Sequence, residues 1–83
     1  MASKDLIEKV WEKGKPIRGR NPDAFRKDAE DNVIRKGSYG TDGKYGWEID
    51  HKHPVSKGGS DNLRNLQPLR TEENREKSDK IKK

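Results

Sequence analysis

The sequence predicts a small α+β domain, on three observations. Residues 3–13 carry apolar side chains at helical period, residues 46–51 alternate at strand period, and Thr71 opens a polar run of helical length. Between the last two lie a loop around Gly58-Gly59 and a short extended piece, Leu66-Gln67-Pro68-Leu69. The carboxyl-terminal half is therefore expected to run strand, loop, short strand, helix, with amino-terminal helices packed on it.

In the first helix, Leu6, Ile7, Val10 and Trp11 form one apolar stripe. Ser3 is the expected N-cap, Asp5 sits in the first turn, and Gly14 with Pro16 stops the helix. Residues 14–21 read as a basic loop. Asn21-Pro22-Asp23 is a helix-start signal, so a second short helix is expected over 22–29, with Phe25 and Ala29 inward. Glu30-Asp31-Asn32 is a turn, and Val33-Ile34 is a short strand ending at Lys36-Gly37. Residues 37–46 hold four Gly and two Tyr, a composition suited to a wide connection pairing that strand with the one at 46–51. There Trp47, Ile49 and His51 share one face, Glu48 and Asp50 the other. Ser60 or Asp61 can cap a turn through Asn65. Thr71 is the expected N-cap of the last helix, about 72–80, with Asn74, Lys77 and Ser78 on one face and Ile81 near its end.

Eighty-three residues, 25% hydrophobic and 42% charged, allow one domain with a small core. No cysteine is present, which excludes disulfides and thiolate zinc sites. No apolar run reaches membrane-spanning length and the first residues lack a signal-peptide pattern, so a cytoplasmic protein is expected. The net charge of +5 favours a nucleic-acid partner, although 15 Asp and Glu temper it.

Polar chemistry concentrates between Trp47 and Lys77. Asp50 stands directly before His51, and Asn65 and Asn74 follow at separations of fourteen and nine residues. A carboxylate and an amide oxygen are hard donors suited to Mg²⁺ or Mn²⁺. An imidazole beside such an ion can take a proton from water near neutral pH. Together they suit metal-assisted phosphodiester hydrolysis. One geometric difficulty stands out: adjacent strand residues point to opposite faces, so the strand must end or bend for Asp50 and His51 to reach one phosphate.

At Asp50-His51, Pro54, Gly58-Gly59, Asn65-Leu66, Asn74 and Lys77 the chain resembles the HNH endonuclease family, in a His-Asn-Asn version. The match spans roughly residues 46–78, with 1–45 as support within a single domain of residues 1–83. The resemblance implies a ββα-metal (His-Me finger) fold and a one-metal mechanism giving 5′-phosphate and 3′-hydroxyl ends. By that analogy His51 is the general base, Asp50 and Asn74 bind the ion, and Asn65 belongs to the catalytic set as the amide that ties the loop and orients His51. Mg²⁺ or Mn²⁺ is the expected ion, with Zn²⁺ or Ni²⁺ as alternatives. Glu48 resembles a glutamate that pairs with an arginine, for which Arg26 and Arg35 are the candidates, and His53 is a supporting residue. Arg18, Arg20, Arg35, Lys57, Arg70, Arg75 and Lys77 are expected to meet phosphates of DNA, double-stranded by preference. Lys52 departs from the family, which often has an apolar residue there. Two rival readings keep the same fold: a non-catalytic nucleic-acid-binding module, and a toxin-type nuclease held by an inhibitor protein. A place in a larger phage or bacterial assembly is a further expectation.

Overall fold

The computed structural model describes residues 2–80, with side chains described through residue 77. The expectations for the side chain of Ser78 and for residues 81–83 lie outside the described residues.

Helix α1, Lys4–Trp11, forms where the apolar stripe predicts it. The Ser3 hydroxyl accepts the Leu6 N–H at 3.1 Å and caps its first turn. The helix closes with Gly14 N–H donating to Trp11 O at 2.9 Å. Three short strands follow: β1 (Lys15–Pro16), β2 (Phe25–Lys27) and β3 (Val33–Arg35), in an antiparallel sheet of that order. Strands β4 (Trp47–His51) and β5 (Leu66–Arg70) form a second, two-stranded antiparallel sheet, with Trp47 opposite Arg70 and His51 opposite Leu66. Helix α2, Thr71–Lys80, continues directly from β5.

Three expectations are corrected. Residues 22–29 hold no helix. Asn21 instead closes one turn, its side chain accepting from Asp23 N–H and its carbonyl from the Ala24 and Phe25 N–H groups. The chain then extends, because Phe25, Arg26 and Lys27 find ladder partners in Arg35, Ile34 and Val33. The apolar residues of this run, Ala24, Phe25 and Ala29, offer a helix too little to bury. Ala29 is exposed, and the buried residue is Asp28. Its carboxylate accepts from Glu30 N–H, Asn32 N–H, the Asn32 amide and Arg70 N–H, tying the β2–β3 turn to the end of β5. The basic segment after Gly14 is in part strand β1, paired through Lys15 and Pro16 with Lys27 and Arg26. Finally, β3 pairs with β2, not with β4; Arg35 N–H donates to Tyr45 O, and the segment after β3 meets β4 through a Tyr39–Trp47 bridge and a Gly40 N–H to Trp47 O bond.

The core sits between α1 and one face of β4–β5. Val10, Trp11, Ile34, Trp47 and Leu66 are buried, and Leu6, Ile7, Tyr39 and Ile49 pack against them. Trp11 and Trp47 lie 5.2 Å apart between centroids, and Tyr39 meets Trp47 edge-on at 5.0 Å. Each buried tryptophan contributes about 4–6 kcal/mol by area, a large share for a chain with so few apolar residues. Their indole N–H groups donate to Pro22 O at 2.9 Å and Lys36 O at 3.3 Å. Burial pushes the Tyr39 phenol above its ordinary pKa, and the charge of Glu48 adds to this.

Thr71 is the first residue of α2, and its buried hydroxyl has no hydrogen-bond partner among the described residues, so it does not act as the N-cap the sequence suggests. Thr71→Val should therefore raise stability by about 1 kcal/mol, read by urea denaturation. A loss of about 1 kcal/mol, the usual cost of removing a cap, would contradict this.

Candidate active site

Strand β4 presents two faces to two different partners. Trp47 and Ile49 turn into the α1 core. Glu48 and Asp50 turn toward α2, where Asn74 Nδ2 donates to Glu48 Oε1 at 2.9 Å and Lys77 Nζ donates to Asp50 Oδ2 at 2.7 Å. Gln67, directly across the ladder, donates to the same Asp50 oxygen at 2.8 Å. Asp50 is thus a buried carboxylate held by an amide and an ammonium, with no partner for its Oδ1 among the described residues.

The ladder ends at His51, and the chain bends at Lys52 and His53. Pro54 opens a 3-10 turn, Val55–Lys57, closed by Gly58 at φ 90°. Asn65 fastens this loop. Its Oδ1 accepts from His53 N–H at 2.9 Å, and its Nδ2 donates to His53 O at 3.1 Å and Ser60 O at 2.7 Å. Lys52 N–H adds a bond to Asn65 O at 2.8 Å. Asn65 therefore ties the backbone of His53 and has no hydrogen bond to the backbone or ring of His51. His53 Nε2 lies 2.9 Å from Lys57 O and holds the same loop. Gly59 is required by close approach, since a Cβ there would overlap the carbonyl oxygen of His53.

The bend answers the geometric difficulty. Asp50 and His51, neighbours in β4, line one cavity of about 310 Å³ with Pro54, Ser56, Asn74 and Lys77. His51 Nε2 lies 2.8 Å from Asp61 Oδ1. Asp61 escaped the sequence reading, which offered it only as a cap; Ser60 Oγ takes the Asn62 N–H instead, at 3.2 Å. Gln67 was also missed. Its signal was register: once 66–70 pairs with 47–51, Gln67 must stand opposite Asp50.

The acid Glu48 pairs with neither Arg26 nor Arg35. Its arginine is Arg75, with Nη2 3.9 Å from Oε2, and Arg75 also meets Asp42 at 2.7 Å. Arg26 is held by the carbonyls of Pro22, Glu12 and Gly14. Of the other cations expected at phosphates, Arg20 lies over the Phe25 ring at 4.7 Å, and Arg70 reaches Lys44 O and Glu72. Arg18, Arg35 and Lys57 are exposed.

The donor chemistry fits a divalent ion. Asn74 uses its Nδ2 on Glu48, which leaves Oδ1 without a partner among the described residues. One carboxylate and one amide oxygen on the same cavity suit an ion that takes oxygen ligands and keeps several waters. Among the described residues, no three His, Asp or Glu side chains converge as a metal-binding group.

A two-stranded antiparallel ladder followed by a helix, with Asp, His and Asn side chains on one cavity, defines the ββα nuclease class. The HNH endonuclease family model matches residues 35–80, more than half of the chain. This chain belongs to the HNH endonuclease family. No curated protein and no solved structure matches it. Nucleases of this family generally use divalent metal ions and act on nucleic acids.

Asn65→Ala removes three hydrogen bonds from the loop and should cost about 1–3 kcal/mol. It should also speed hydrogen exchange at the His53 amide, measured by NMR. Unchanged protection at His53 would contradict the tie.

Proposed function

We propose that this chain is a metal-dependent DNA endonuclease in which all 83 residues work as one domain. One observation carries the reading: Asp50, His51, Asn74 and Lys77, drawn from a strand end and a helix, line a single cavity. Asp50 and Asn74 would hold the ion through Oδ1 atoms that have no protein partner among the described residues. Mg²⁺ or Mn²⁺ suits this set, because two protein oxygens leave room for water and phosphate ligands. When bound, the ion stabilises negative charge on the phosphate and the leaving oxygen.

The protein's own part is proton transfer and orientation. The carboxylate of Asp61 accepts from His51 Nε2–H, which leaves the Nδ1 lone pair free. Nδ1 takes a proton from water as its oxygen attacks phosphorus. The bond from phosphorus to the 3′ oxygen breaks, giving 5′-phosphate and, after proton uptake from solvent, 3′-hydroxyl ends. Lys77, now on Asp50, stands where it can also meet a phosphate oxygen. Asn65 and His53 keep the loop beside the base in place. Double-stranded DNA fits the net charge of +5. Among the described residues no helix is long and apolar enough to cross a membrane, which is compatible with a cytoplasmic setting.

Supercoiled plasmid should be cut with Mg²⁺ or Mn²⁺ and left intact with chelator. His51→Ala should lower the rate at least about 100-fold, the range of general-base catalysis. Cleavage without metal, or full activity in His51→Ala, would overturn the reading, and binding without cleavage would favour a non-catalytic module.

A further inference from the structure

Outside the candidate active site, four lysines converge on another cavity of about 310 Å³. Lys13 follows α1, Lys15 lies in β1, Lys27 in β2, and Lys52 comes directly after His51. These elements meet here because β1 pairs with β2 in the first sheet and Gln67 and Pro68 of β5 line the same cavity. Three of the four lysines lie outside residues 35–80, the part that matches the family.

The charge is not balanced locally. Asp28, the acid in the cavity, already accepts from Glu30, Asn32 and Arg70. Lys15 pairs with Asp31 at 3.0 Å, on the exposed surface. Among the described residues Lys27 and Lys52 have no ion pair. Lys13 is pinned by the carbonyls of Leu63 and Leu66, and burial, with the charge of Lys52, holds its ammonium below the ordinary lysine pKa. Crowded like charges repel, and an anion relieves the repulsion. Two cations first expected to meet phosphate are instead engaged in ion pairs: Arg70 with Glu72 and Arg75 with Asp42.

Two residues link the cavity to the site. Lys52 is the neighbour of His51, and Gln67 both lines this cavity and donates to Asp50 at 2.8 Å. We propose that the cavity ringed by Lys13, Lys15, Lys27 and Lys52 grips the sugar-phosphate backbone of the DNA beside the scissile phosphate. This rests on the nuclease reading above and adds a contact surface to it. Ammonium groups read phosphate and not base edges, so the grip is independent of sequence and sets how the strand enters the active site.

The test is binding of a short fluorescein-labelled duplex across a salt series, with chelator present so that nothing is cut. Lys27→Gln/Lys52→Gln should bind at least about 10-fold more weakly at ~0.1 M salt. Its slope of log affinity against log salt should be shallower by about 1.8, because two phosphates are no longer neutralised by the protein. Lys4→Gln/Lys9→Gln, on the exposed face of α1, changes net charge equally and should keep the wild-type slope. Thermal melting checks that both variants fold. An unchanged slope in the first variant, an equal loss in the second, or no duplex binding by the wild-type chain overturns the proposal. Plasmid cleavage by the wild-type chain is scored separately, so a failed nuclease reading leaves the slope comparison decisive for the surface.

Discussion

A ladder of two five-residue strands cannot stand alone in water, and the rest of this chain follows from that constraint. Strands β4 and β5 need cover on both faces. On one face α1 and Ile34 bring Trp11, Val10 and an aliphatic wall against Trp47 and Leu66. On the other, α2 brings almost no apolar surface, and the contact is made by Asn74 on Glu48 and Lys77 on Asp50. The sheet thus has a dry face that supplies stability and a polar face that supplies chemistry. Asp50 occupies the polar face at depth, where it is buried but bonded.

That division explains why the catalytic candidates converge. A strand alternates, so Asp50 and His51 would diverge if β4 continued. It stops because Pro54 and the 3-10 turn end the pairing, and Asn65 locks the exit by three hydrogen bonds. Gly59 lets the loop fold tightly over the His53 carbonyl. The two polar side chains then open onto one cavity with Asn74 from α2. Precision comes from the loop's backbone bonds, which matter more in a chain whose core is this small. Lys77 ties the helix to the carboxylate while holding a positive charge at the site.

Much of this was legible in the sequence, and the failures share a physical cause. Helix α1 was readable because Leu6, Ile7, Val10 and Trp11 follow one period and Ser3 caps it. The β4–loop–β5–α2 order was readable from the alternation at 46–51 and the Gly pair. The segment at 22–29 was misread because Asn21-Pro22-Asp23 starts a turn as well as it starts a helix, and the outcome was decided by pairing with Val33–Arg35. The partner of Glu48 was misassigned for the same reason: no local pattern relates residue 48 to Arg75, which reaches it only after α2 folds back. Asp28, Asp61 and Gln67 were invisible as site or core residues because their roles are set by distant partners: Arg70, His51 and Asp50.

The central claim is that Asp50 and Asn74 hold one ion beside His51, the general base. Titration of the isotope-labelled chain with Mn²⁺, followed by NMR, tests it most directly. Signals of Asp50, His51, Asn74 and Lys77 should broaden first, and Asp50→Asn should weaken that effect. Broadening that begins instead at the acids of α2, Glu72 and Glu76, and is untouched by Asp50→Asn, would contradict the account.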